Sequence, residues 1–246
     1  MTTIDMKRLF DFFISLFGLL IASPILLAIM LLVWLQDFHS PFYIAPRVGR
    51  NERIFRMVKM RSMIINADKT GVDSTSSDDM RITRVGHFIR RFKIDELVQL
   101  WNVFIGDMSL VGPRPNVKRE TDLYTAEEKR LLGVRPGITD YASIVFSDEG
   151  DILEGRSDPD LAYNQLIRPW KSRLGLIYVD NNSIGLDLKL ILFTVIAVVN
   201  RPLALNLVCR ELETNGAPDN VIRIAHREKE LVPYPPPGSD EVVVRR

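Results

Sequence analysis

Two adjacent carboxylates, Asp95 and Glu96, and an arginine set between prolines, Pro113-Arg114-Pro115, are the residues best suited to chemistry in this sequence. A carboxylate can serve as a nucleophile, and paired acids can share a divalent cation. The restricted backbone on either side of Arg114 suits its planar guanidinium to bidentate phosphate contacts. Strand alternation in residues 54–61 projects Lys59 and Arg61 to one face, either as a phosphate clamp or as a solvated edge. A nucleophile, a second carboxylate and several cations are the parts of a phosphoryl-transfer site. Two acids in a first helical turn also have a plainer use, complementing the helix dipole for about 0.3–1 kcal/mol each.

Local patterns predict the elements that must position these groups. Ile94, Leu97, Val98, Trp101, Phe104 and Ile105 form an apolar stripe at helical spacing, predicting one helix closed by Gly106. Asp95, Gln99 and Asn102 fall on its opposite side. Thr83 is placed to cap a preceding helix with Val85, Phe88, Ile89 and Phe92 at helical spacing and Arg90 and Arg91 riding on it. Residues 41–61 read as two short strands with a turn at Gly49-Arg50-Asn51, and residues 66–80 as a mobile polar loop. The expected fold is mixed α/β, mainly helical with a small β-hairpin.

Residues 12–36 contain no charged side chain, a run of 25 that can cross a hydrocarbon core about 30 Å thick. It is too long for a signal peptide and lacks a small-residue cleavage site. Ser23-Pro24 lies near its centre, where proline removes an N–H and frees the Leu20 carbonyl, with the Ser23 hydroxyl available as a substitute donor. The segment is therefore either a kinked spanning helix or a re-entrant helix broken at Ser23-Pro24. Basic residues flank it on both sides: Lys7 and Arg8 before it, Arg47, Arg50 and Arg53 after it. That symmetry fits two cytoplasmic ends.

The formal net charge of +1 argues against nucleic-acid binding. The single cysteine, Cys209, excludes an internal disulfide and reads as a buried thiol without a role. Downstream, Asp158-Pro159-Asp160 is a helix start that Pro169 interrupts. Residues 186–199 are apolar and too short to span, so they pack in the core or lie on a membrane surface, the role favoured here. The proline-rich tail after Gly216 is expected to be extended and variable in position.

The run Asp95-Glu96-Leu97…Gln99-Leu100-Trp101-Asn102-Val103, then Gly106-Asp107-Met108-Ser109 and Val111-Gly112-Pro113-Arg114-Pro115, resembles the signature of the bacterial sugar transferases, the monotopic phosphoglycosyl transferases. Lys7-Arg8…Asp11, Ser23-Pro24, Lys59…Arg61-Ser62-Met63 and Arg135-Pro136-Gly137-Ile138-Thr139 extend the likeness over residues 7–140. The resemblance implies transfer of a sugar-1-phosphate from a nucleoside-diphosphate sugar, expected to be a UDP-sugar, to polyprenyl (undecaprenyl) phosphate, with release of UMP. It implies Asp95 as the nucleophile of a covalent phospho-sugar intermediate and Glu96 as its partner. Mg²⁺ is the implied cofactor, with Asp95 and Glu96 as candidate ligands.

By the same likeness Lys59 and Arg114 bind phosphate groups, Arg90 takes the lipid head, and the Ser23-Pro24 break makes the membrane helix re-entrant. The implied setting is the bacterial inner membrane with the catalytic part on its cytoplasmic face, the bilayer and both substrates as partners, and a homodimer as a compatible assembly. The expected division is residues 1–40 for the membrane helix, 41–200 for the catalytic domain with interfacial helices, and 201–246 for a C-terminal extension. Asp140-Tyr141-Ala142-Ser143 and residues 144–160 depart from the family pattern, in a region expected to choose the sugar or nucleotide.

Overall fold

The computed structural model describes residues 3–67, 75 and 78–244. Most of the predicted loop at residues 66–80 lies outside them. A single helix, α1 (Thr3–Asp37), carries the apolar run and is long and apolar enough to cross a membrane. It continues without interruption through Pro24, where the Ser23-Pro24 pair is expected to break it. The Ser23 hydroxyl donates to the Leu20 carbonyl at 2.8 Å, so the acceptor that proline strands is satisfied inside the helix.

The inward face of α1 explains why the helix keeps its course. Asp11, Ser15, Leu26, Ile29 and Val33 are buried, at intervals that keep helical phase on both sides of Pro24. Gly18 lies between them, where an added Cβ would come within 3.0 Å of the Leu100 side chain. The opposite face, including Phe13, Phe17, Ile21, Leu27, Leu31 and Trp34, is exposed.

Both ends of α1 are tied to the rest of the chain. Near its start, Lys7 donates to Asp187 at 2.6 Å and to the Tyr178 hydroxyl at 2.7 Å. Arg8 donates to the carbonyls of Val103 and Phe104, each at 2.6 Å. Near its end, Asp37 receives two N–H groups from Arg61, at 2.5 and 2.7 Å. That engagement corrects the expectation for Arg61: strand geometry ends at Met60, and the guanidinium turns to α1 instead of sharing a face with Lys59.

The hairpin forms as the sequence predicts. Strands β1 (Phe42–Val48) and β2 (Ile54–Met60) pair antiparallel with Tyr43 opposite Lys59, through a 3-10 turn at Arg50–Glu52. Helix α2 (Arg84–Arg91) is capped by Thr83, whose hydroxyl accepts from Gly86 N at 2.9 Å. The predicted helix over residues 94–105 is instead two short helices, α3 (Ile94–Leu97) and α4 (Leu100–Ile105). They are joined by tight turns in which Gln99 N bonds Glu96 O and Trp101 N bonds Val98 O.

Two elements have no signature in the sequence. Strands β3 (Ser109–Val111) and β4 (Gly137–Thr139) form a parallel pair, each three residues long. Beside it Gly112 and Gly137 touch backbone to backbone: a Cβ on Gly137 would meet Gly112 N at 2.1 Å, so no side chain fits.

The remaining helices are α5 (Lys118–Thr121), α6 (Tyr141–Val145), α7 (Glu149–Leu153), α8 (Pro159–Ala162), a π-helical turn (Tyr163–Ile167), α9 (Arg168–Asn181), α10 (Ile184–Val199), α11 (Arg201–Thr214) and α12 (Asp219–Ala225), with a 3-10 segment at Glu128–Gly133. Pro169, expected to interrupt a helix, is accommodated by the π-helical turn just before it. The inner faces of α6, α9, α10, α11 and α12 share one core with β2, α4 and β3. Cys209 is buried in that core. Leu188, Leu192, Val195, Val198 and Val199 of α10 remain exposed.

Candidate active site

Polar anchoring places Lys59 beside Asp95. The fully buried Asn102 uses both ends of its amide on β2, accepting from Val58 N at 2.9 Å and donating to Arg56 O at 2.8 Å. These bonds extend β2 on its unpaired edge, with a side chain in the place of a third strand. The polar side of the 94–105 segment therefore faces the hairpin, and the following residue pair on β2 brings Lys59 to the carboxylates.

Arg114 is held from both sides. Pro113 O accepts from Gly137 N at 3.0 Å, and Asn116 O accepts from Val48 N at 2.9 Å, so the Pro-Arg-Pro loop bridges β4 and β1. From that mount Arg114 Nη2 donates to Glu96 Oε1 at 2.7 Å. Asp95 and Glu96 follow Lys93, whose φ of 55° turns the chain sharply between α2 and α3. Asp95 Oδ1 is buried and has no hydrogen-bond partner.

Arg47, Lys59, His87, Arg90, Arg91, Asp95, Glu96 and Arg114 line a cleft of about 700 Å³, which Ser143, Glu149, Tyr163 and Lys171 also line. Of the residues singled out from sequence, Lys59, Arg90, Asp95, Glu96 and Arg114 converge here. Arg61 does not, and Ser23 and Pro24 stay within α1. Sequence reasoning missed the Glu149 and Lys171 pair, which are ion-paired across the cleft wall. They lie 22 positions apart in stretches without a recognisable motif, so no local signal could have joined them.

Electrostatics separates the two acids. Burial pushes the Asp95 carboxyl above the usual carboxylate range, and Glu96 adds to that rise against the pull of Lys59, Arg114 and Arg90. Burial also opposes ionisation of Glu96, yet the charges of Arg114, Lys93 and Lys59 outweigh it and hold this carboxyl at about 2. Burial and the Arg114 charge bring the Lys59 ammonium down to about 8. The Glu96 charge in turn raises Arg114 further above its ordinary value. Glu96 is thus a fixed anion neutralised by Arg114, while Asp95 is the more basic carboxylate and has a free oxygen.

Among the described residues no cluster of three or more His, Cys, Asp or Glu side chains is placed to cage a metal ion by itself. The unpartnered Asp95 oxygen beside Glu96 still fits a hard cation of the Mg²⁺ type, which binds through one or two carboxylates and completes its shell with water and phosphate oxygens.

The site thus sets a basic carboxylate among convergent cations. The chain belongs to the bacterial sugar transferase family, whose model matches residues 2–201. It is 33% identical over 192 residues to the UDP-N-acetylgalactosamine-undecaprenyl-phosphate N-acetylgalactosaminephosphotransferase of Aeromonas hydrophila, covering 77% of this chain and 42% of that one. It is 36% identical over 205 residues to the galactosyl transferase CpsE of Streptococcus agalactiae, covering 78% and 42%. The exopolysaccharide production protein PSS of Rhizobium leguminosarum is 36% identical over 207 residues, covering 80% of this chain and 96% of that protein. The chain thus spans less than half the length of the first two relatives and nearly all of the third.

Proposed function

We propose that this protein transfers a sugar-1-phosphate from a nucleoside-diphosphate sugar, of the UDP type, to undecaprenyl phosphate, and releases UMP. The carrying observation is the buried, unpartnered oxygen of Asp95 in a cleft walled by Lys59, Arg90 and Arg114. The names of the Aeromonas hydrophila relative and of the undecaprenyl-phosphate glucose phosphotransferase of Komagataeibacter xylinus support undecaprenyl phosphate as acceptor.

In this reading the Asp95 carboxylate attacks the phosphorus that bears the sugar. A bond forms from Asp95 oxygen to phosphorus, the bond from phosphorus to the UMP oxygen breaks, and UMP leaves with that electron pair. An oxygen of the lipid phosphate then attacks the same phosphorus and displaces Asp95, which is restored as a carboxylate. No proton transfer is required, because nucleophile, leaving group and acceptor are all ionised.

Lys59, Arg90 and Arg114 neutralise phosphate oxygens, the main electrostatic demand of such a transfer. Glu96 fixes Arg114 and tunes Asp95 toward basicity. A bound Mg²⁺, held by Asp95 and Glu96, would supply further charge neutralisation on the phosphates. Chelation with EDTA is expected to abolish turnover and added Mg²⁺ to restore it; full turnover after chelation would remove the metal from the scheme.

The anchoring of both ends of α1 to the same domain supports a monotopic arrangement, with the unbroken α1 lodged against one leaflet on the cytoplasmic side of the inner membrane instead of crossing it. The exposed faces of α1 and α10 would meet lipid there. UMP release measured with and without undecaprenyl phosphate tests the reaction. Acceptor-dependent release is expected; equal release without acceptor would indicate a hydrolase, and none under either condition an inactive assembly partner.

A further inference from the structure

The segment after α12 contradicts the expectation of a tail variable in position. It is extended, but it is docked along the π-helical turn and α9. Pro169 has no N–H and cannot donate to the Gln165 carbonyl four residues back. The backbone N–H of Tyr234 donates to that carbonyl at 3.0 Å. The Tyr234 ring stacks on Trp170 with centroids 4.4 Å apart, and Arg173 lies over it at 4.9 Å while donating to Pro235 O at 2.9 Å. Thr125 Oγ1 donates to Pro237 O at 2.5 Å, and Gln165 Nε2 to Val243 O at 2.8 Å. The strap is therefore bonded along its length and supplies the donor that proline withholds.

The braced turn lines the cleft that holds Asp95, through Tyr163 and Lys171. Tyr163 opens the π-helical turn and Lys171 lies early in α9; Lys171 sits 5.4 Å over the Tyr163 ring and is ion-paired with Glu149. Helix α7, which begins at Glu149, is tethered through Asp148 by ion pairs to Arg201 at 2.8 Å and Arg227 at 3.1 Å. The two walls differ in chemistry. The α2 wall combines His87, Arg90 and Arg91 with the exposed rings of Phe88 and Phe92, and it packs Ile89 against α1. The Tyr163 wall offers hydroxyls, a carboxylate and an ammonium, the groups that bind sugar hydroxyls.

We infer that Glu149, Tyr163 and Lys171 form the wall that binds the glycosyl part of the nucleotide sugar, and that the C-terminal strap, through Tyr234, holds this wall in position. The inference rests on the reaction proposed above and assigns its donor end. Tyr234 is a positioning residue and touches no substrate.

The test is direct binding of UDP-N-acetylgalactosamine, UDP-galactose and UDP to the full chain in detergent, with Lys171→Met, Tyr234→Ala and Tyr234→Phe variants. UDP carries the nucleotide and both phosphates without the transferred sugar. Lys171→Met and Tyr234→Ala are expected to weaken the bound UDP-sugar about tenfold, the scale of one lost polar contact. UDP affinity should stay within about twofold, and Tyr234→Phe, which keeps ring and N–H, should bind as the unchanged protein does. Equal weakening of UDP and UDP-sugar, or no weakening of either, would overturn the inference. So would failure of Tyr234→Ala alone to fold, unless Lys171→Met gives the selective loss. Because binding needs no turnover, an active Asp95→Asn protein would defeat the proposed reaction without altering these affinities.

Discussion

Arg114 Nη2 meets Glu96 Oε1 at 2.7 Å, and that one contact leaves the neighbouring Asp95 as the carboxylate with an unpartnered oxygen. The division of labour between two adjacent acids therefore depends on an arginine 18 positions away, carried by a loop fixed between β1 and β4. Arg114→Met should remove it. Activity should fall by about 10–100-fold, the worth of a hydrogen bond to a charged group. Glu96 should also lose its low pKa. Its contribution to stability is present above the unfolded carboxyl value and lost as pH falls through about 2, so the variant's stability deficit should be full at pH 7 and smaller at pH 3. Unfolding curves at pH 3 and pH 7 check this.

Lys59 gives an alkaline signature. Its ammonium is drawn down to about 8, so the site loses a positive charge as pH rises through that value. The kcat/KM for nucleotide sugar should decline above about pH 8, and Lys59→Arg should carry the decline to higher pH. Stability should move the opposite way: the buried ammonium is disfavoured in the folded state, so its penalty is relieved as pH rises from about 8 toward the ordinary lysine value. A pH profile of kcat/KM alongside melting temperatures separates loss of charge from unfolding.

Asn102 links the carboxylate segment to the hairpin. Asn102→Leu would strand Val58 N and Arg56 O, which Asn102 holds in part-buried hydrogen bonds. A fall of about 1–3 kcal/mol in unfolding free energy is expected from that pair of losses, with activity reduced because Lys59 is no longer registered against Asp95. Denaturant unfolding in detergent measures the first, and turnover of the folded fraction the second.

Much of this arrangement is legible in the sequence. The alternation of residues 54–60, the Thr83 cap and the Gly106 stop are local signals, and each element forms where its signal lies. Asp95, Glu96, Lys59, Arg90 and Arg114 can be picked out by type, and they line one cleft. What does not show is non-local. Arg61 shares strand phase with Lys59, but its partner Asp37 lies on α1 and overrides that phase. The three-residue β3 and β4 strands exist because two glycines let their backbones touch. A proline-rich tail reads as unattached unless the orphaned Gln165 carbonyl is known to face it.

Topology has its own consequence. With Lys7 and Arg8 at one end of α1 and Asp37 at the other bound to the same domain, cysteines at Met6 and His39 should be labelled from the same side of the membrane. The native Cys209 is buried and should contribute little background. Labelling of the two positions from opposite faces, in right-side-out and inverted vesicles, would show that α1 spans and would contradict the monotopic reading.

The central claim is that the Asp95 carboxylate attacks phosphorus. It is tested most directly by incubating the purified protein with a UDP-sugar labelled in the sugar-linked phosphate, without acceptor, and measuring label and mass on the intact chain. A sugar-phosphate adduct is predicted on the unchanged protein, located at Asp95, discharged by undecaprenyl phosphate and absent from Asp95→Asn. An adduct of the same yield on the Asp95→Asn chain, or full turnover by that variant, would contradict the account.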